Sequence, residues 1–292
     1  MTEPVITFFM IVTDRDMVIA DYAVRSCAKV TTVPFKLVVY SNWVLAALRA
    51  KYFPRWRELP YVEIWESAEQ TDDRKPVDRR LWGPFELCYP IWDRELKKLR
   101  ATPYHATVDA DFEILDGDFI PVMLQRLEEN SRLIAMSTDY NPKINAYSDS
   151  YSGAEITLNE RWHTHFCIYK REALECAVSH AYRAESQEGP LTKSAWDDAG
   201  YFQRALRLRG FELEVLDAKY RRSFVHYGAF GQNRHIDDSN VALYRRLRIM
   251  RRVGLGGFGD PLSRGAAFIV ERVVFSRVDR HTYADGWAQR SG

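Results

Sequence analysis

The sequence predicts an α/β protein built on a mostly parallel sheet flanked by helices. Three observations lead there. Short apolar, β-rich runs alternate with segments whose apolar residues recur at helical spacing. The first run, Val5 to Val12, is continuously apolar, as a strand buried on both faces must be. The chain of 292 residues, 46% hydrophobic and 28% charged, has ample material for a core and excludes wholesale disorder.

The elements follow in order. After Val12, Thr13-Asp14 interrupts the apolar run, and Ala20, Ala23, Val24, Cys27 and Ala28 recur at helical spacing. Phe35 to Tyr40 reads as a second strand, Trp43 to Tyr52 as a helix and Tyr61 to Trp65 as a third strand. Such alternation implies parallel strands joined by right-handed crossovers. Glu66 to Arg80 is polar and charged and reads as a long loop, with Arg74 and Lys75 in it. Phe85 to Leu99 reads as a helix. His105 to Val108 is a strand that stops at Asp109-Ala110-Asp111. Phe119 to Leu127 follows as a helix, with Pro121 in its first turn, where proline is tolerated.

Leu133 to Met136 is a fifth strand and Asn141 to Asn159 a loop. His163 to Tyr169 alternates as a strand, Glu172 to Arg183 continues as a helix, and Trp196 to Arg209 forms another that Gly210 ends. Phe211 to Leu216 and Phe224-Val225 are the last strands before His226-Tyr227-Gly228. From about Ser239 the tail carries a basic helix and a Gly-rich segment.

The chemistry concentrates at Asp109-Ala110-Asp111. Two carboxylates at i and i+2 on extended backbone point the same way. Held that close they repel unless a cation lies between them. Oxygen donors suit Mg²⁺ or Mn²⁺, which in turn bridge to a diphosphate. Ligands in open α/β sheets bind outside the carboxyl ends of strands, where this motif falls. The competing structural reading is a solvated acidic turn or a helix cap.

In this motif and its order of elements, residues 5 to 230 resemble the GT-A nucleotide-sugar glycosyltransferases, whose sheet is Rossmann-like and mixed, mostly parallel. The resemblance implies a catalytic domain over 1–230 and a C-terminal extension over 231–292, with the basic helix. It implies that Asp111 binds a Mn²⁺ or Mg²⁺ ion directly, that Asp109 contacts the ribose or the metal, and that His226 is a third ligand. It places Thr13 and Asp14 at the base and ribose, and Trp196-Asp197-Asp198 facing the sugar. A Lys on a Gly-containing loop after the His, frequent in retaining members, is absent; Arg234 follows Gly228 and Gly231 instead. Arg234, with Arg74 or Lys75, is then the candidate to neutralise a diphosphate, and Asp197, Asp198, His163 and His165 are the candidates to contact the sugar. For Asp197 and Asp198 the plain alternative is an acidic helix N-terminus, for His226 a structural histidine, and for Arg234 a surface arginine.

Other patterns compete. His163, His165 and Cys167 alternate and resemble part of a Zn²⁺ site, but no second cluster has ligand spacing. Gly254 to Gly259 satisfies GxGxxG, yet no apolar strand precedes it and Asp260-Pro261 follows it. Asp109 to Glu113 resembles the haloacid dehalogenase nucleophile motif, but Glu113 stands where Thr or Val is expected. The basic run Arg245 to Arg252 suits a solvated helix face, or contact with a membrane surface or an acidic partner.

The expected function is glycosyl transfer from a UDP- or GDP-linked sugar. The alternatives are a pyranose–furanose mutase using the same metal site without an acceptor, and a non-catalytic adaptor for acidic surfaces. A net charge of +1 gives no reason to expect nucleic acid as partner. Four scattered cysteines and an acidic N-terminus without a leader pattern imply a cytoplasmic chain with no transmembrane segment. The apolar tail around Ala266 to Phe275 suits a homodimer contact.

Overall fold

The computed structural model describes residues 2–14, 16–42, 44–66, 101–139, 162, 165–176, 203, 206–207, 209–227, 241, 245–246 and 249. The chain divides into two units, Met1–Phe224 and Val225–Gly292, and the division falls inside a short strand, Phe224–His226.

The strands are β1 (Ile6–Val12), β2 (Phe35–Ser41), β3 (Val62–Glu66), β4 (Tyr104–Val108), β5 (Phe112–Ile114), β6 (Leu133–Ser137), β7 (Phe166–Lys170), β8 (Glu212–Val215) and β9 (Phe224–His226). The helices are α1 (Met17–Ser26), α2 (Ala46–Arg57) and α3 (Phe119–Glu129). Seven strands form one sheet in the order β3-β2-β1-β4-β7-β6-β8, while β5 and β9 pair separately. The pairs β1·β2, β2·β3, β1·β4 and β6·β8 are parallel; β7 runs antiparallel to both β4 and β6. The sheet is therefore mixed and mostly parallel, as the sequence predicts.

Burial explains the apolar runs. Ile6, Phe8, Met10 and Val12 of β1 join Tyr104, Ala106 and Val108 of β4 in the larger core, with α1 and α3 contributing Met17, Ala20, Val24, Phe119 and Met123. The opposite face packs Phe9, Val38 and Tyr40 with Leu174 in one cluster, and Ala135, Cys167 and Tyr169 with Leu206 in another. A strand covered on both faces loses the polar alternation of a half-exposed one. The other face of β4 is polar all the same, because it carries His105 and Thr107, both buried.

Several boundaries differ from expectation. Ala28 is exposed, because α1 tightens into a 3₁₀ turn over Cys27–Lys29 before the helical stripe reaches it. α2 starts at Ala46 and runs through Pro54 to Arg57. Proline removes one helical hydrogen bond. Here Tyr52, Phe53 and Trp56 hold the helix by burial, and Trp56 Nε1 donates to Asp21 Oδ1 at 2.9 Å. The strand expected from His163 begins at Phe166, and the helix expected from Glu172 begins as a 3₁₀ segment, Arg171–Cys176. β5 is an addition. It forms at the turn after Asp109, where Phe112, Glu113 and Ile114 are all buried. Gly210 does end a helix, with φ at +81° and Phe211 N–H donating back to the Leu206 carbonyl at 3.2 Å. The helix expected at Phe85–Leu99, the loops at 66–80 and 141–159 and the Gly-rich tail fall wholly or almost wholly outside the described residues. In the basic tail Val241, Arg245, Arg246 and Ile249 are helical. No described helix is long and apolar enough to cross a membrane.

Candidate functional site

β1 lies at the point where the sheet order changes direction: β2 and β3 lie on one side of it, and β4, reached later in the chain, on the other. Ligands of open α/β sheets bind in the crevice outside the carboxyl ends of the strands at such a switch point. The residues that leave β1, β2 and β4 at that end are Thr13, Asn42 and Asp109.

The β4 side is a tight turn. Asp109 N–H donates to the His165 carbonyl at 2.8 Å, and Phe112 N–H closes the turn on the Asp109 carbonyl at 3.0 Å. Phe112 is locked by ring contacts with Phe166, Phe224 and His165 at 4.9, 5.2 and 5.8 Å. The turn leaves Asp109 exposed and Asp111 only 9% exposed. Asp109, Asp111 and His226, the last residue of β9, each offer one ligand atom, and these atoms lie within 4.8 Å of one another. Two ligand atoms facing each other across an ion bonded at about 2.1 Å are about 4.2 Å apart, so small side-chain rotations close the group. Two carboxylate oxygens and an imidazole nitrogen form a donor set that fits Mn²⁺ or Mg²⁺.

The β1 side contributes a third carboxylate. Asp16 Oδ2 accepts from the Thr13 N–H at 3.0 Å and from the Thr13 hydroxyl at 2.7 Å. Asp16 N–H returns to the Thr13 carbonyl at 3.1 Å. Burial pushes the Asp16 carboxyl up to about 6, the negative charges of Asp111 and Asp109 push in the same direction, and the Thr13 hydrogen bonds oppose them. Asp16 thus feels the charge of the other two acids, the condition that a cation relieves.

Thr13 and Asp14 occupy the turn after β1, both half-buried. His165 is buried just ahead of β7, its ring on Phe112 and its carbonyl on Asp109. Arg74, Lys75, His163, Trp196, Asp197, Asp198 and Arg234 lie outside the described residues. Sequence reasoning missed Asp16 and Asn42. Asp16 was open to notice as the second acid of Thr13-Asp14-Arg15-Asp16, directly ahead of the helical stripe. Asn42 carries no signal in the sequence beyond following an apolar strand; it is 2% exposed and its N–H donates to the Val12 carbonyl at 2.9 Å.

No protein-family model matches the chain, and no curated protein is significantly similar to it. Among solved structures, a mannosyltransferase from Pyrobaculum calidifontis in complex with GDP-mannose and Mn²⁺ is similar, with 14% identity over 99% of this chain and 87% of that one and a TM-score of 0.47. Mouse xyloside xylosyltransferase 1 has 13% identity over 74% and 86% of the two chains, with a TM-score of 0.48. The galactosyltransferase LgtC, in complex with donor and acceptor sugar analogs, has 13% identity over 68% and 70%, with a TM-score of 0.44. At such identities the chemistry has to come from the side chains of this chain.

Proposed function

We propose that the chain is a metal-dependent enzyme that acts on a nucleotide-diphosphate sugar, transferring the glycosyl group to an acceptor. The observation that supports it most is the grouping of Asp109, Asp111 and His226 at the carboxyl end of β4, beside the switch point.

The chain's residues divide the work by position. Asp111 and His226 hold the Mn²⁺ or Mg²⁺, with Asp109 reaching the metal or the ribose. A bound divalent cation supplies charge stabilisation for the nucleoside diphosphate that departs as the anomeric bond breaks. Thr13 and Asp14, across the crevice, hold the nucleoside. Arg234, with Arg74 or Lys75, adds positive charge to the diphosphate. Trp196, Asp197, Asp198 and His163 face the sugar. His165, whose carbonyl keeps the Asp109 turn in shape, is the further candidate to contact the sugar.

Replacing Asp111 with Ala tests the assignment. Metal-stimulated release of nucleotide from a UDP- or GDP-sugar in the presence of acceptor should fall about 10²–10³-fold, with the circular dichroism of the fold retained. A folded, fully active Asp111→Ala enzyme overturns the proposal. An isomeric nucleotide sugar formed without acceptor would assign the same site to a mutase instead.

A further inference from the structure

We infer that Asp16 is a positioning residue that makes the Thr13 hydroxyl an acceptor-only contact for the nucleoside. The inference rests on the nucleotide-sugar reading above and adds the polarity that this chain presents at the end of β1.

The backbone N–H, carbonyl and hydroxyl of Thr13 are all engaged by Asp16. The Thr13 N–H and hydroxyl both donate to Asp16 Oδ2, and the Thr13 carbonyl accepts the Asp16 N–H. Asp16 Oδ2 already accepts the Thr13 N–H, so it is the acceptor in the 2.7 Å bond as well and the hydroxyl is the donor. Its single proton is committed, and what it has left to offer a ligand is lone pairs. Both ends of this pair are held. The Asp16 carbonyl accepts the Ala20 N–H at 2.8 Å, the first helical bond of α1, and Val12, just before Thr13, accepts the Asn42 N–H at 2.9 Å.

A hydroxyl in this state takes a hydrogen bond from an N–H or O–H and gives none to a carbonyl or phosphate oxygen. A diphosphate offers only acceptors, so Thr13 does not serve it. The nucleoside offers two kinds of donor: a ring N–H of a keto base such as uracil or guanine, and the ribose hydroxyls. The common chemistry is one donor on the nucleoside, pointing at Thr13. β1 and β4 run parallel, so Thr13 and Asp109 leave the sheet at the same end.

Calorimetry of the full chain with UDP and with GDP, in excess Mn²⁺, tests the inference. Thr13→Val and Asp16→Ala should each weaken binding about tenfold, as loss of one well-placed hydrogen bond does. The double variant should bind no more weakly than either single one, because Asp16 acts through the hydroxyl. Asp16→Asn, whose Oδ1 still accepts from Thr13, should recover most of the affinity that Asp16→Ala loses. A base N-methylated at the ring N–H, or a 2′- or 3′-deoxyribose, should lose affinity in the wild type and nothing further in Thr13→Val, and the analogue that does so names the donor. A double variant that multiplies the two losses, or a Thr13→Val chain that binds as the wild type, overturns the inference while leaving the nucleotide reading intact. Should Asp16→Ala fail to fold, an Asp16→Asn chain as weak as Thr13→Val overturns it equally. A wild-type chain that binds neither nucleotide overturns both.

Discussion

His105 lies in the middle of β4 at 1% exposure, and neither ring nitrogen has a hydrogen-bond partner among the described residues. Its ring stacks on Tyr169 at 5.2 Å. Burial holds the imidazole down at about 3, so the folded protein keeps it neutral. The unfolded chain protonates it near 6.5. Stability from this group is therefore complete above about pH 6.5, falls as the pH drops below that value, and levels off below about 3. The whole loss is about 5 kcal/mol, of which about 2 kcal/mol has gone by pH 5. Urea denaturation at pH 7 and pH 5 should show that drop in the wild type and a smaller one in His105→Phe, which keeps the stacking. Equal drops in the two proteins would mean that His105 finds a proton acceptor inside the fold. At this scale Asp109 and Asp111 were legible, because an i, i+2 acid pair after an apolar strand needs a physical reason. Asp16 was visible as a second acid after β1, but its bonds to Thr13 were not, because an acid ahead of a helix reads as an ordinary N-terminal residue.

The elements that carry the site are held by close backbone approach as much as by side chains. Ser26, in the last turn of α1, accepts the Ile114 N–H of β5 at 2.9 Å. Just beyond β5, Gly117 passes so near the end of the 3₁₀ turn that a Cβ there would lie 2.5 Å from the Lys29 carbonyl oxygen and 2.9 Å from Val30 Cα. Gly117→Ala should thus lower stability by about 1–3 kcal/mol, read as a lower urea midpoint at unchanged m-value. An unaffected midpoint would show that the segment moves aside freely. Periodicity located β1, β2, β4 and α3 well, since each has an apolar pattern of its own. It could not find β5. Three residues carry no period, and Phe112-Glu113-Ile114 is a strand only because β9, more than a hundred residues later, supplies the pairing. It also stopped short in α2, where the local cost of Pro54 is overridden by the burial of Phe53 and Trp56.

For the whole molecule, a net charge of +1 conceals an uneven distribution, with three acids gathered at one end of the sheet. A cation that binds the folded chain and not the unfolded one must raise its melting temperature. At a concentration one hundred times the dissociation constant the gain is about 2.7 kcal/mol, or roughly 4 °C for a chain of this size. Mn²⁺ should give that shift in the wild type and little of it in Asp111→Ala. Equal shifts in both proteins would place the ion elsewhere. The fold class was readable because strands and helices alternate along the chain. The antiparallel direction of β7 was not, since a strand buried on both faces has the same composition whichever way it runs.

That reversed strand also bears on how the protein can change. Because β7 runs against β6 and β4, the chain leaves β6 at Thr138 and enters β7 at His165 on the same rim of the sheet as Asp109. The intervening stretch begins and ends on the rim that carries Asp109, and both its anchors are neighbouring strands. Closing a longer loop between fixed ends costs only about 0.6 kcal/mol per doubling of its length. The length and sequence of that stretch can therefore change while the register of the described strands, and the turn at Asp109, stay as they are.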